Sequence, residues 1–364
     1  MKSNIYLRFV LLFGINILFT HAYAEAENTT QVDRAEIQAL RSEIPRALTV
    51  SLPDGSQRSM SRCDFVVLNP EATQIDPLGS NQLSNLNTLT IPVAFHVIHK
   101  TDSTGYIQES QLDAQIASLN AAYASLNIQF NKYDVDYTAN DDWFGIACGG
   151  DTTTTACEAH SQHCDWNTAD NECEENNTFE DTYKNALAVN PETTLNIYSG
   201  ELGGTLGYAW LPSDIASMAS SVSFRDGVVL HYSTLQGINV NNYAYNEGDT
   251  GVHEVGHYLG LHHTFNGGCG GGPTGGDEVA DTPEQDNGDN IYQCVEVDTC
   301  PADPGNDPIH NYMNYVPDNC MYEFTTLQKE RMQNMMATYR PNLGVDRHFI
   351  PAYLAHSDNP YLAM

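Results

Sequence analysis

From Asp249 the chain reads DTGVHEVGHYLGLHH, and this spacing restricts the possible folds more than any other feature. His253 and His257 lie four apart, so on a helix both imidazoles share one face and can reach a single ion. Glu254 stands about 100° round from His253, near enough to hold a water at that ion without ligating it. Gly260 can adopt the left-handed conformation that ends a helix and turns the chain back, which lets His263 supply a third nitrogen. His262 is the nearest competitor, but the HExxHxxGxxH spacing favours His263 and leaves His262 as a solvent or supporting histidine. Three histidines leave one coordination position open, as in catalytic zinc sites; a structural site would close with a fourth protein ligand.

The expected chemistry follows from that open position. Zinc lowers the pKa of a bound water to about 7, while Glu254 takes its proton and later passes it to the leaving amine. Hydrolysis of peptide bonds in proteins or peptides fits this arrangement best.

The rest of the chain describes an exported protein. Lys2 and Arg8 precede an apolar run from Phe9 to Phe19, and Ala22-Tyr23-Ala24 offers a small-x-small cleavage site, so residues 1–24 read as a signal peptide and the product as secreted. No later stretch has the roughly 18 apolar residues of a membrane helix. With 47 acidic against 15 basic side chains, nucleic acid is excluded as a partner on electrostatic grounds. Nothing in the sequence points beyond a monomer.

Residues 25–90 are polar, with a Pro53-Asp54-Gly55 turn, and read as a propeptide. From Ile91 the pattern tightens. Pro92 to His99 alternates as a sheet strand does, Leu112, Ile116, Leu119 and Tyr123 share a helical face, and Ile128 to Tyr133 reads as a second strand. Phe179 to Val189 suggests another helix, with strands at Leu195 to Tyr198 and Gly227 to Tyr232, giving a mixed α/β order. Between Asp141 and Asn177 an acid-rich insertion carries Cys148, Cys157, Cys164 and Cys173, with His160 and His163. Two disulfides are expected there rather than a metal, since the spacing matches no usual zinc module, and three connectivities stay open.

Beyond the zinc motif the sequence resembles the pappalysin family of metzincin metallopeptidases from about Ile91 to Tyr339. The resemblance is carried in order by Leu195 to Tyr198, Leu202 to Ala209, Asp226 to Val229, Thr264-Phe265 after the zinc helix, and Asp281-Thr282-Pro283. Asn311 to Tyr315 resembles the Met-turn, which implies Met313 as an apolar floor beneath the metal and Tyr315 as a hydrogen-bond donor to the developing oxyanion. Phe324 to Gln328 resembles the closing helix, with Thr325 as cap and Gln328 completing a capping box.

Membership would imply the metzincin α/β (α+β) fold. This is a mixed, mostly parallel twisted sheet with backing and active-site helices, over a loop-rich lower subdomain stapled by Cys269–Cys300 and Cys294–Cys320. The catalytic domain would span residues 91–345, its upper part about 91–263 and its lower part about 264–345, followed by a tail over 346–364. The family also implies structural calcium, for which Asp277, Asp281 and Thr282 are the candidates. It implies a preference for a basic side chain after the scissile bond, read by an acid near the last bridge cysteine. Two residues precede Cys320: if Asp318 holds the selecting position the preference survives, and if Asn319 holds it the preference is lost.

Two pairs in the insertion and two in the lower subdomain leave one of the nine cysteines, Cys63. Arg62-Cys63 resembles the cysteine-switch element of metzincin zymogens, with Asp64 where a glycine often follows. The propeptide is therefore expected to inhibit its own enzyme, the Cys63 thiolate filling the open zinc position. Two other readings compete with the peptidase: a zinc-stabilised binding or adhesion protein of the same fold, and a metzincin acting on another amide or ester bond. Intact Glu254 and Tyr315 argue against the first.

Overall fold

Two short strands, β1 (Leu48–Ser51) and β2 (Gln57–Met60), pair antiparallel about the expected turn. The Asp54 carboxylate accepts the Ser56 N–H at 2.8 Å, and Gly55 takes φ +84°, where a side chain would be strained. In the computed structural model the described residues are 48–63, 88–145, 153–155, 164–167, 172–175, 178–218, 220–238, 244–270 and 276–344. They belong to one compact unit, Pro45–Met364. The signal peptide, Cys148, Cys157, His160, His163 and the tail after Gly344 lie outside the described residues.

The remaining elements follow in chain order. They are β3 (Leu89–His99), α1 (Glu109–Tyr123), β4 (Ile128–Ala139), β5 (Cys164–Asn167), β6 (Glu172–Glu175), α2 (Thr178–Leu187), β7 (Leu195–Gly200), β8 (Gly207–Ala209), α3 (Pro212–Ser217), β9 (Val228–His231), α4 (Asp249–Tyr258) and α5 (Thr326–Tyr339). Strands β5 and β6 form an antiparallel hairpin within the acid-rich insertion.

The main sheet has the order β4-β3-β7-β9-β8. All neighbours are parallel except β8, which runs antiparallel along one edge. Strand β3 lies inside the sheet and is buried from Val93 to Ile98, so its apolar residues face the core on both sides, as parallel strands require. Helix α1 is the crossover from β3 to β4. The sequence placed Ile116 on its buried face, but Gln115 is buried there instead and Ile116 is half-buried. The reason is a long-range bond: Gln115 Nε2 donates to the Gly248 carbonyl at 2.9 Å, tying α1 to the start of α4.

The sheet and helices enclose a single large core, in which Val93, Phe95, Ile197, Leu119, Tyr123, Val252 and Val255 meet. Helix α5 opens with the expected capping box of Thr325 and Gln328. It ends where Arg340 ion-pairs with Asp226, donates to the Tyr258 carbonyl at 3.0 Å and lies 3.7 Å over the Tyr258 ring. The chain then reaches Gly344, whose N–H donates to the Thr193 carbonyl and whose Cα lies so close to Thr90 that a Cβ would sit 2.6 Å from its carbonyl oxygen. The lower part is loop-rich and carries both expected bridges, Cys269–Cys300 and Cys294–Cys320.

Candidate metal centre

Helix α4 stops because Gly260, at φ +103°, closes a Schellman motif: its N–H bonds the His257 carbonyl at 2.8 Å, and the Leu261 N–H bonds the Gly256 carbonyl at 2.9 Å. The reversal returns His263 to the face that carries His253 and His257. Their three Nε2 atoms lie 3.0–3.1 Å from one another, close to the roughly 3.3 Å edge of a tetrahedron with metal–nitrogen bonds of about 2.05 Å. His253 Nδ1 meets the Tyr312 carbonyl at 2.7 Å and His257 Nδ1 meets the Leu261 carbonyl at 2.8 Å. A ring nitrogen facing a carbonyl must donate, so in both rings Nε2 keeps its lone pair and points at the common centre.

Burial pushes the three imidazoles down, His257 to about 3, and they are neutral, as metal ligation requires. Convergent lone pairs with no proton between them fit a cation better than one another. Among the described residues, these histidines with Cys63 make the only group of three or more His, Cys, Asp or Glu side chains close enough to share an ion, all four ligand atoms lying within 4.8 Å.

The other expected site residues gather round this centre. Glu254 is fully buried and its Oε2 lies 3.3 Å from Cys63 Sγ. Strand β8 passes so near that a Cβ on Gly207 would sit 2.8 Å from Glu254 Cγ. Met313 is buried beneath α4, its sulfur against Gly256, where any side chain would collide. The Tyr315 hydroxyl donates to the Cys63 carbonyl at 2.8 Å. His262 departs from its solvent alternative: it is buried, its Nε2 3.5 Å from Arg331 Nη2.

Gly260→Ala should be costly, since the new methyl would meet Met335 Cβ at 2.7 Å on a backbone that side chains avoid. A loss of about 1–3 kcal/mol in chemical denaturation is expected, with weakened zinc retention because His263 depends on the turn. Unchanged stability and zinc content would refute this account of the turn.

Next to the metal centre lies a pocket that holds Arg62. Its Nη1 donates to Asp318 Oδ1 at 2.9 Å, its guanidinium lies 4.4 Å over the Tyr245 ring, and Nη2 is 3.6 Å from Met321 Sδ. Both partners of the ion pair are fully buried. Asp318 Oδ2 accepts the Glu247 N–H at 2.9 Å, at the entrance to α4; with donors on both oxygens the group is held as a carboxylate. Burial and the neighbouring Asp318 charge push Asp249 up to about 7. Asn319 is exposed, whereas Asp318 is buried. Sequence reasoning missed Tyr245, whose hydroxyl donates to the Tyr315 carbonyl at 3.1 Å; it lies in a polar loop and carries no pattern.

The calcium candidates lie along one stretch of chain, with the Asp281 charge acting on Asp277. Asp277 and Thr282 are buried in one loop, and burial pushes Asp277 up to about 7 despite the Val279 N–H and the Thr282 hydroxyl beside it. Asp281 is exposed and accepts the Leu327 N–H at 3.0 Å, in the first turn of α5.

Residues 167–337 match the Peptidase_M43 family model, described as pregnancy-associated plasma protein-A. An extracellular metalloprotease of Neurospora crassa is 37% identical over 261 residues, covering 71% of this chain and 78% of its own length. Another, from Sordaria macrospora, is 36% identical over 260 residues with the same coverage. Among solved structures, mirolysin in complex with compound 9 is similar with a TM-score of 0.50 and 26% identity, over 71% of this chain and 97% of that one.

Proposed function

The chain belongs to the pappalysin family of peptidases and is a secreted metalloendopeptidase acting on peptides or proteins, and from that premise we propose how its residues divide the work. The family implies zinc, and His253, His257 and His263 hold it through Nε2. Zinc bound there supplies a Lewis acid and acidifies the attacking water. Glu254 takes a proton from that water and returns it to the leaving nitrogen. The Tyr315 hydroxyl, which already donates to a peptide carbonyl in the cleft, donates to the scissile carbonyl oxygen as charge develops on it. Met313 supports α4 from below. The convergence of three neutral Nε2 lone pairs beside a buried carboxylate is the observation that carries this reading.

The same chain is made latent by its own segment Leu48–Cys63. Val50, Leu52 and Met60 pack against Leu206 and Tyr245, and Ser61 pairs parallel to Thr205, its N–H bonding the Gly204 carbonyl at 2.7 Å. Cys63, which is in neither disulfide, presents its thiol to the metal centre. Arg62 fills the pocket that would otherwise take a basic substrate side chain against Asp318. Calcium is assigned to Asp277, Asp281 and Thr282, with Asp281 also holding that loop to α5 through the Leu327 N–H.

Two experiments test the assignment. Mature protein incubated with denatured proteins should cleave them, stop on chelation and resume when zinc is restored; no chelator-sensitive cleavage would favour a binding protein. A Cys63→Ala precursor should exceed the wild-type precursor in activity by roughly ten-fold or more, because the open ligand position is then blocked only sterically. Equal activity of the two precursors would remove Cys63 from the latency mechanism.

A further inference from the structure

The inhibitory segment carries a second arginine contact, half-buried, that the reaction does not explain. Four residues before Arg62, Arg58 on β2 ion-pairs with Glu201 at the end of β7, and its Nη1 also lies 3.5 Å from the Leu202 carbonyl. The Glu201 side chain is only 12% exposed and that of Arg58 only 27%. A solvent-exposed pair would carry little meaning; this one is partly shielded from solvent on both sides.

The Glu201 side of the contact is built by the catalytic domain alone. His231, fully buried on β9, accepts the Ser233 N–H at Nδ1, so its Nε2–H is the donor that meets Glu201 Oε1 at 3.2 Å. The Glu201 backbone is fixed by its N–H bond to the Phe144 carbonyl at 2.7 Å. Burial works against the charge, but His231 and Arg58 outweigh it and hold the carboxyl below its usual range. When the segment leaves, the His231 bond remains and the carboxylate loses only its cation.

We propose that Glu201, with the Leu202 carbonyl, forms a second subsite for a cationic side chain of the substrate, distinct from the pocket at Asp318 and further from the metal. Arg58 and Arg62 stand in for two basic residues of a substrate. In an extended chain they are separated by about 13 Å, four residues at roughly 3.3 Å each. Along the inhibitory segment the order is Glu201 contact, Asp318 contact, metal, so the second subsite lies on the side of the pocket away from the scissile bond. Polypeptides with a basic residue just after the cleaved bond and another about four residues further on would engage both carboxylates. The inference rests on the reading of residues 48–63 as a segment lying in the substrate cleft.

The test uses mature wild-type enzyme and Glu201→Gln with peptides that carry Arg at the first position after the cleaved bond. Arg or Gln is then scanned through the third to sixth residues beyond that position, and kcat/KM is measured. Wild type should favour Arg over Gln about five-fold at the fourth residue, and in Glu201→Gln the ratio should fall towards one. Because each ratio is taken within one protein, a stability defect in the variant cancels. Equal kcat/KM for Arg and Gln at every scanned position in wild type overturns the subsite, as does an Arg preference that Glu201→Gln leaves unchanged. Failure of the Asp318 reading reads out separately, as indifference to Arg at the first position.

Discussion

Glu254→Gln in the mature enzyme is expected to keep its zinc and to lose about 10³- to 10⁴-fold in kcat, with KM little changed. Glutamine preserves the volume of a side chain that packs against β8 near Gly207, so the fold should not respond. What disappears is the buried carboxylate beside the three imidazoles, the group proposed to accept a proton and release it again: His253 and His257 spend Nδ1 on carbonyls and turn Nε2 to the common centre. Single-turnover kinetics on a peptide substrate, run beside metal analysis of the same sample, separates the two requirements. Near-normal turnover would end the role of Glu254 as base, and loss of zinc in step with activity would make it a ligand instead.

Asp318→Ala is expected to act twice, once in each form of the protein. In the precursor it leaves the fully buried Arg62 guanidinium without its carboxylate and the Glu247 N–H at the entrance to α4 without its acceptor. Removing one member of a buried ion pair costs about 3–5 kcal/mol, so the thermal midpoint of the precursor should fall by several degrees or more. In the mature enzyme the same change should reduce the preference for Arg over an apolar side chain after the cleaved bond by about 100-fold. Asn319→Ala, at the exposed neighbouring position, should alter neither quantity. An Asp318→Ala enzyme that still selects Arg would transfer specificity elsewhere, with Asp249, whose charge also acts on Arg62, the next candidate.

The parts of the molecule that were legible in the sequence are those whose signals are local. The zinc helix, its glycine stop and the capping box at Thr325 are each written within a few residues, because ligand spacing and cap geometry are fixed by the helix itself. Strands β3, β7 and β9 were visible as apolar runs. Strand β8 was not, since three residues starting at a glycine have no period to detect, and its identity depends on pairing with β9. The hairpin β1–β2 read only as a turn in polar sequence, because Val50 and Met60 become core through Leu206 and Tyr245, some 150 to 190 positions away by numbering. Gln115 displaced Ile116 for the same reason: its partner, the Gly248 carbonyl, is remote in sequence. The acidic pocket needed structure as well. Asp318 and Asn319 are neighbours in sequence, and only the fold shows that Asp318 is buried while Asn319 is exposed.

Gly344 against Thr90 has a consequence of another kind. The first residues of β3 and Gly344, the last of the described residues, are in contact. A polypeptide of that form is nearly a closed ring, and rings can be cut elsewhere. Joining the two ends through a short flexible linker and opening the chain at an exposed surface turn, such as that around Ser103 before α1, should give a permuted protein with the same core. Such a protein would carry no inhibitory segment to remove, and its synthesis would yield the unrestrained enzyme directly.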